Sequence, residues 1–202
     1  LLEQYHEGLI ALSACLAGEV QRYLVRGLYD EAKKTAQRYE ACFGKGNYFL
    51  ELQDHGIPDQ KTVNAGLMRL SQELGIELVA TNDVHYTYAE DWEAHDILLC
   101  LQTGKKLSDE NRMRYEGGQY YVKSEEEMRA LFPYAAQAIE NTQKIADRCH
   151  VEIEFGVTKL PHFTVPDGYD SWTYLNKLCH EGLIQRYPDR HDELLPQLDY
   201  EL

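Results

Sequence analysis

An aspartate and a histidine two residues apart, Asp83 and His85, are the pair in this sequence best suited to chemistry. They follow a short apolar run, Ile76 to Ala80, that lies between a glycine and polar residues, as is typical of a buried strand ending at a loop. Side chains two apart in an extended chain point to the same side, so a carboxylate and an imidazole here can hold one divalent cation. The alternative is a turn aspartate beside a hydrogen-bonded surface histidine, because Asp-x-His is a short and common pattern.

A second candidate ligand is Cys15, which follows another short apolar run, Gly8 to Ser13. A helical pattern from Leu16 to Arg26 comes next, so the sequence predicts that Cys15 lies where a strand feeds a helix N-terminus. That position suits a thiolate for metal binding or nucleophilic attack. The alternative is a small buried hydrophobe, the usual role of a free cysteine. The other cysteines, at positions 42, 100, 149 and 179, are interpreted as packing residues.

Two further polar residues lie in or after a third strand candidate, Tyr48 to Gln53. Glu51 alternates with two leucines, so its side chain is expected to point away from them, toward a barrel interior or toward solvent. His55 follows in the loop and is a candidate ligand, a hydrogen-bonding partner of a substrate, or a turn residue.

Helices are predicted to alternate with these strands in the order βα-βα-β. Strands alternating with helices of this length indicate an α/β fold with a parallel sheet or barrel, in which function gathers at the carboxyl ends of the strands. Cys15, Asp54, His55, Asp83 and His85 all fall at that end. The predicted helices are 28–43, 58–74, 90–102 with Trp92, Ile97, Leu98 and Leu101 toward the core, 125–132 with Ser124 as N-cap, 135–149 and 171–187, and a further short strand is predicted at 151–155.

Composition excludes several classes of protein. The chain has 202 residues, and its net charge of -14 would repel a phosphate backbone, which argues against a protein that grips nucleic acid by itself. It could still belong to a larger nucleic-acid machine with basic surfaces elsewhere. The sequence has no P-loop, GxSxG or HExxH pattern, so those nucleotide-binding and hydrolase chemistries have no support.

Cysteine usage and hydropathy indicate the compartment. The five cysteines are odd in number and form no CxxC pair, which argues against a disulfide framework and fits a reducing cytoplasm. No stretch approaches the roughly 20 apolar residues of a membrane span. The chain starts at Leu1 rather than methionine, so we expect an excised fragment, with a domain boundary near Gly156, where proline and glycine begin to punctuate an extended segment.

A series of stretches spread over almost the whole chain carries a family resemblance. They are EGLIALSACLAGEV (7–20), NYFLELQDHG (47–56), LVATNDVHY (78–86), DWEAHDILLCLQTGK (91–105), YYVKSEEEM (120–128), ENTQKIADRC (140–149) and LPHFTVPDG (160–168). Together they resemble the bacterial DNA polymerase III alpha subunits of the DnaE type. The resemblance implies that residues 1–156 are the C-terminal part of a PHP (polymerase and histidinol phosphatase) domain, a distorted and here partial βα barrel. Residues 157–202 would then be a linker and the first helices of the polymerase palm.

The resemblance also implies roles for the candidate residues. Asp83 and His85 match the closing Asp-x-His metal motif of the family, and Cys15 matches its metal-binding cysteine. Glu51 and His55 match a stretch beside the cleft and are expected to line it or to support ligands rather than to bind metal directly. The remaining histidine and glutamate ligands are expected before Leu1, and the catalytic carboxylates of the palm beyond position 202.

The function implied is that of a fragment of a template-directed DNA polymerase that acts on primer-template DNA and dNTPs with Mg²⁺. The PHP part would use Zn²⁺, Mn²⁺ or Mg²⁺, either for 3'-5' proofreading hydrolysis or in a structural role, and the fragment by itself would be inactive. Implied partners are the sliding clamp and an exonuclease subunit, with no membrane. Alternatives are a stand-alone PHP phosphoesterase of the histidinol-phosphatase type, and a scaffold that stabilises the polymerase and docks an exonuclease.

Overall fold

A computed structural model describes residues 1–202 as two compact units, Leu1–Val151 and Glu152–Leu202. The first unit contains β1 (Ala11–Leu12), α1 (Glu19–Val25), α2 (Tyr29–Phe43), β2 (Tyr48–Leu52), α3 (Pro58–Leu74), β3 (Leu78–Ala80), α4 (Trp92–Thr103), α5 (Glu125–Leu131) and α6 (Ala136–Ala146). The second unit contains α7 (Ser171–Arg186) and α8 (His191–Glu201). None of these helices is both long enough and apolar enough to cross a membrane.

The strands of the first unit form a parallel sheet in the order β1-β2-β3. Tyr48 is in register with Ala11, and Leu52 with Ala80. Helices α1 and α2 connect β1 to β2, and α3 connects β2 to β3, so the predicted alternation of strands and helices in an α/β fold is confirmed. The sheet has three strands and does not close, so the finer prediction of a barrel stays a prediction.

Strand β2 lies between β1 and β3, and all five of its residues are buried. Strands of parallel sheets that are covered on both faces have nearly continuous apolar sequences, and YFLEL has this character except at Glu51. The core beside β2 includes Val63, Leu67 and Leu70 of α3. These three residues recur at helical spacing on one face of α3, as the sequence predicts.

Helix α4 packs differently from the prediction, which placed Trp92, Ile97, Leu98 and Leu101 toward the core. All four side chains are about half exposed or more, and the buried residues of the helix are Leu99 and Cys100. The sequence ILLCL is apolar over five consecutive positions, more than one turn of a helix. Periodicity therefore could not indicate which side of the helix faces the core.

Two other predictions of secondary structure are wrong, and one helix was not predicted. The strand expected at residues 151–155 does not form, since this segment pairs with no other strand. Helix α1 begins at Glu19 rather than at Leu16. Helix α8 was not predicted, and Pro196 inside it explains the omission, because proline usually argues against a helix interior. By contrast, the predicted N-cap Ser124 is confirmed, and it forms a capping box with Glu127.

An ion-pair cluster joins α2 to α3 at the surface. The carboxylate of Glu73 accepts hydrogen bonds from Lys33 Nζ at 2.7 Å and from Arg69 Nε at 2.8 Å. These two cations lower the pKa of Glu73 to about 2. The cluster therefore ties the two helices together only while this carboxyl is ionised.

We expect Glu73→Gln to lower the midpoint of thermal unfolding at pH 7, because it removes the charge that Lys33 and Arg69 share. The folded-state pKa lies below its usual value of 4.5, so the stabilisation is fully present above about pH 4.5 and is lost as the pH falls toward 2. The difference in midpoint between wild type and variant should therefore narrow over that interval. Glu77→Gln, at an exposed position outside the cluster, is the control. A difference that stays constant down to pH 2 would contradict the assignment.

Candidate functional site

The loops that follow the three strands meet at one edge of the sheet. Ala14, after β1, and Thr81, after β3, both donate hydrogen bonds to the side chain of Glu51 in β2. Because the strands are parallel, this is the edge formed by their carboxyl ends. The structure thus places the Cys15 loop and the loop of Asp83 and His85 on either side of β2.

Asp83 and His85 lie close together. His85 Nδ1 is 3.6 Å from the carboxylate Oδ1 of Asp83 and 3.1 Å from its carbonyl oxygen. The backbone N–H of His85 donates to the carbonyl oxygen of Tyr120 at 2.7 Å, which fixes the loop. Both side chains remain accessible, with exposed fractions of 45% for Asp83 and 29% for His85. An accessible carboxylate and imidazole on one loop can bind a cation that arrives from solvent.

Cys15 is exposed and lies in a turn between β1 and α1. The helix cap is Gly18, so the cysteine precedes the helix by a full turn of chain, and the prediction that it lies at a helix N-terminus is wrong. The cause is Ala14, whose φ of 67° is left-handed and sends the chain into a turn before the helix can begin. A non-glycine residue in that region costs about 1–3 kcal/mol, which the surrounding hydrogen bonds must offset.

Those hydrogen bonds come from buried polar side chains. Gln21 of α1 donates from Nε2 to the hydroxyl of Ser13 at 2.7 Å and to the carbonyl oxygen of Ala14 at 2.8 Å. The hydroxyl oxygen of Ser13 also accepts from the backbone N–H of Glu51 at 2.8 Å. The shape of the Cys15 turn is therefore determined by side chains of both α1 and β2.

His55 is buried and held on both ring nitrogens. The Oε1 atom of Gln60 accepts from the backbone N–H of His55 at 2.7 Å, which turns the amide Nε2 of Gln60 toward Nδ1 of His55 at 3.0 Å. Nε2 lies 3.0 Å from Oδ1 of Asn82, and the backbone N–H of Asp83 points toward the same Nε2 as a donor at 3.1 Å. Both ring nitrogens are therefore engaged by groups of this chain, and His55 positions the loop of Asp83.

The charge state of His55 agrees with this arrangement. Burial lowers the pKa of His55 below its ordinary value, and the hydrogen bond to Asn82 and the charge of Asp83 only partly oppose that effect. Burial in this network therefore favours the neutral ring. The Nδ2 group of Asn82 donates to the carbonyl oxygen of Tyr121, so the network continues to the chain on the far side of the loop.

An aromatic cluster beside the loop was not predicted from the sequence. Tyr120 stacks on His55 with ring centroids 4.6 Å apart, and Tyr115 lies 4.4 Å from the ring of His85. The ring of His95 in α4 lies 5.5 Å from the ring of His85 and 5.1 Å from that of Tyr115. The pKa of His95 is lowered by burial and then by the charge of His85. The tyrosines lie in or beside an irregular polar segment, and no periodicity could indicate that Tyr120 contacts Tyr86, 34 residues earlier in the chain.

The donor atoms of Cys15, Asp83 and His85 fit a divalent cation by their chemistry, since thiolate, carboxylate and imidazole are the ligands that zinc prefers in proteins. The structure brings two of them, Asp83 and His85, face to face. No three histidine, cysteine, aspartate or glutamate side chains lie close enough together to hold a metal ion. The chain thus supplies a pair of facing ligands and a third donor on the neighbouring loop.

These features define an α/β domain whose candidate ligands follow the carboxyl ends of parallel strands. Residues 1–55 match the family model described as the PHP domain. Over 203 residues, the whole chain is 45% identical to the DNA polymerase III subunit alpha of Treponema pallidum (strain Nichols), of which it covers 17%. It is 41% identical over its whole length to the same subunit of Borreliella burgdorferi, of which it covers 18%. It is 39% identical over 96% of its length to that of Thermus aquaticus, of which it covers 16%.

The chain is thus homologous, over its whole length, to a segment of the DNA polymerase III alpha subunits, and the resemblance inferred from its motifs is confirmed. It spans less than a fifth of the length of these relatives. A stand-alone phosphoesterase is not favoured, because the similarity continues through both compact units into relatives named as polymerase subunits.

Proposed function

We propose that the chain is the PHP region of a DNA polymerase III alpha subunit, with residues 1–156 forming the later part of a distorted βα barrel and 157–202 leading into the palm. The observation that carries this proposal is the 45% identity to a DNA polymerase III subunit alpha over the whole chain. The parent protein would carry out template-directed DNA synthesis from dNTPs on a primer-template with Mg²⁺. This chain contributes a domain to that enzyme and is not its polymerase active site.

The chain's own contribution is the edge of the sheet where Asp83, His85 and Cys15 lie. We propose that these residues bind Zn²⁺, Mn²⁺ or Mg²⁺ together with ligands from parts of the parent outside the matched segment. When bound there, such an ion would supply activation of water and neutralisation of phosphate charge, the chemistry that phosphodiester hydrolysis requires. Asp83 and His85 offer their donor atoms to solvent, and His55, hydrogen-bonded on both nitrogens, holds the loop at Asn82 and at the backbone N–H of Asp83.

Charge limits how the domain can engage DNA. With a net charge of -14, the chain repels a phosphate backbone at long range. Primer-template DNA must therefore be held by basic surfaces of the parent, and only a strand end needs to reach the PHP edge. The sliding clamp and an exonuclease subunit are the further partners that this proposal implies, in the cytoplasm.

A structural role is the second candidate, and one observation favours it. No third ligand joins Asp83 and His85 in this chain, whereas His55, Gln60 and Asn82 form a closed hydrogen-bond network around the loop. In that case the PHP edge stabilises the polymerase and docks an exonuclease instead of hydrolysing DNA.

Nuclease assays on the full-length parent separate these roles. We expect 3'-5' hydrolysis of primer-template DNA with added Mn²⁺ or Zn²⁺, reduced to background in Asp83→Ala and in His85→Ala, with polymerisation retained in both. Val84→Ala, which changes the exposed residue between them, is the matched control and should keep the activity. A wild type without nuclease activity, whose thermal stability falls in both alanine variants, would assign the loop to the structural role.

A further inference from the structure

Glu51 is a buried carboxylate with 9% of its surface exposed, near the carboxyl end of the central strand. Burying a carboxylate is costly unless hydrogen bonds satisfy it. Its Oε2 atom accepts the backbone N–H of Ala14 at 2.9 Å, and its Oε1 atom accepts the hydroxyl of Thr81 at 2.5 Å. Each oxygen is thus engaged by a different loop.

The two loops are the ones that carry the candidate ligands. Ala14 is the left-handed residue next to Cys15, and Thr81 stands two residues before Asp83. Thr81 is also fixed by its backbone N–H, which donates to the carbonyl oxygen of Leu52 at 3.0 Å, and by Gln53, which donates to its hydroxyl. The carboxylate of Glu51 therefore joins a strained turn on one side of β2 to an anchored loop on the other.

We propose that Glu51 is a positioning residue that holds the Cys15 loop and the Asp83 loop in one fixed arrangement, and that it acts through hydrogen bonds and not as a ligand. This inference rests on the proposed function in so far as the two loops carry metal ligands. The hydrogen-bond geometry allows one substitution, Glu51→Gln, to separate a role through hydrogen bonds from a role as a metal ligand. In Glu51→Gln the side-chain oxygen can still accept from Ala14, while the amide can donate to the hydroxyl of Thr81, which accepts as readily as it donates. In Glu51→Leu both bonds are lost.

Hydrogen exchange of the full-length parent, followed by mass spectrometry, tests the coupling. In Glu51→Leu we expect peptides covering 13–18 and 81–86 to exchange together, roughly 10- to 100-fold faster, because a hydrogen bond to a charged group is lost on each side. Glu51→Gln should stay close to wild type, and so should a peptide from α3, which reports global unfolding. Thr81→Val should free the second loop, and Thr81→Ser should not. Unchanged exchange in Glu51→Leu, or faster exchange in one loop alone, would overturn the proposal.

Zn²⁺ affinity of the same proteins, measured by competition with a chelator, supplies the second readout. Glu51→Leu should weaken binding about 10- to 100-fold, the usual effect of removing a group that orients a ligand, and Glu51→Gln should largely restore it. Equal losses in the two variants would overturn the proposal, because a direct ligand requires the charge. If wild type and the Asp83→Ala, His85→Ala double variant bind Zn²⁺ equally, the proposed metal site fails, while the exchange result still decides the role of Glu51.

Discussion

Leu67→Ala is expected to lower the free energy of unfolding by about 2–5 kcal/mol, the usual range for a leucine truncated in a core that cannot collapse around the cavity. Leu67 of α3 is completely buried. It belongs to the core cluster that includes Leu50 of β2 and Leu24 of α1, so the cavity would open where α3 packs against both α1 and the central strand. Since single domains are stable by only about 5–15 kcal/mol, the loss is a large part of the total.

Leu101→Ala is the matched control, because it makes the same substitution in a helix of the same compact unit. Leu101 is 79% exposed, so we expect a change within about 0.5 kcal/mol. Urea unfolding followed by circular dichroism measures both variants. A loss at Leu101 as large as that at Leu67 would mean that α4 turns its Leu101 face toward a core, as the sequence alone predicted.

Gly18→Ala is expected to destabilise the protein by about 1–3 kcal/mol through overpacking. Gly18 has ordinary backbone angles, so the reason is space and not conformation. A Cβ atom there would overlap the carbonyl oxygen of Ser13 and lie 2.5 Å from Oε1 of Gln21 and 3.0 Å from the carbonyl oxygen of Cys15. Two of these neighbours are backbone atoms of the Cys15 turn, so the turn must move to make room.

Gly182→Ala provides the control for Gly18→Ala. A Cβ atom at Gly182 of α7 would meet only the end of the Arg186 side chain, which can rotate away. Alanine is more stable than glycine in a helix interior, so we expect this variant to be stabilised by about 0.5–1 kcal/mol. Thermal unfolding and the rate at which iodoacetamide alkylates Cys15 would be measured for both. A Gly18→Ala protein with wild-type stability and wild-type alkylation would show that the turn is not tightly packed.

Local sequence determines much of this fold. The apolar face of α3, the glycine at its end and the following apolar run predict both the helix and β3, because each signal acts within a few residues. Gly75 is left-handed at the C-cap, as the pattern requires. The spacing of Asp83 and His85 likewise predicts that they lie close together on one loop, as they do.

The parts that the sequence could not predict depend on contacts between distant segments. Whether Glu51 faced a barrel interior or solvent was left open, and the answer depends on hydrogen-bond donors about 30 to 40 residues away in both directions. The stacking of Tyr120 on His55 links segments that share no periodicity. In α4 the five consecutive apolar residues 97–101 point to all sides of the helix. Their pattern therefore does not indicate which side is buried, and exposed residues were assigned to the core.

We propose that the loop of Asp83 and His85 helps to bind a divalent metal in a DNA polymerase III alpha subunit. Anomalous diffraction at the zinc edge, on crystals of the full-length parent grown with Zn²⁺, would locate such an ion. We expect a peak about 2.0–2.2 Å from the carboxylate of Asp83 and from a ring nitrogen of His85, and about 2.3 Å from the sulfur of Cys15. Zinc bound elsewhere in the parent, with no peak within ligand distance of Asp83 and His85, would contradict it.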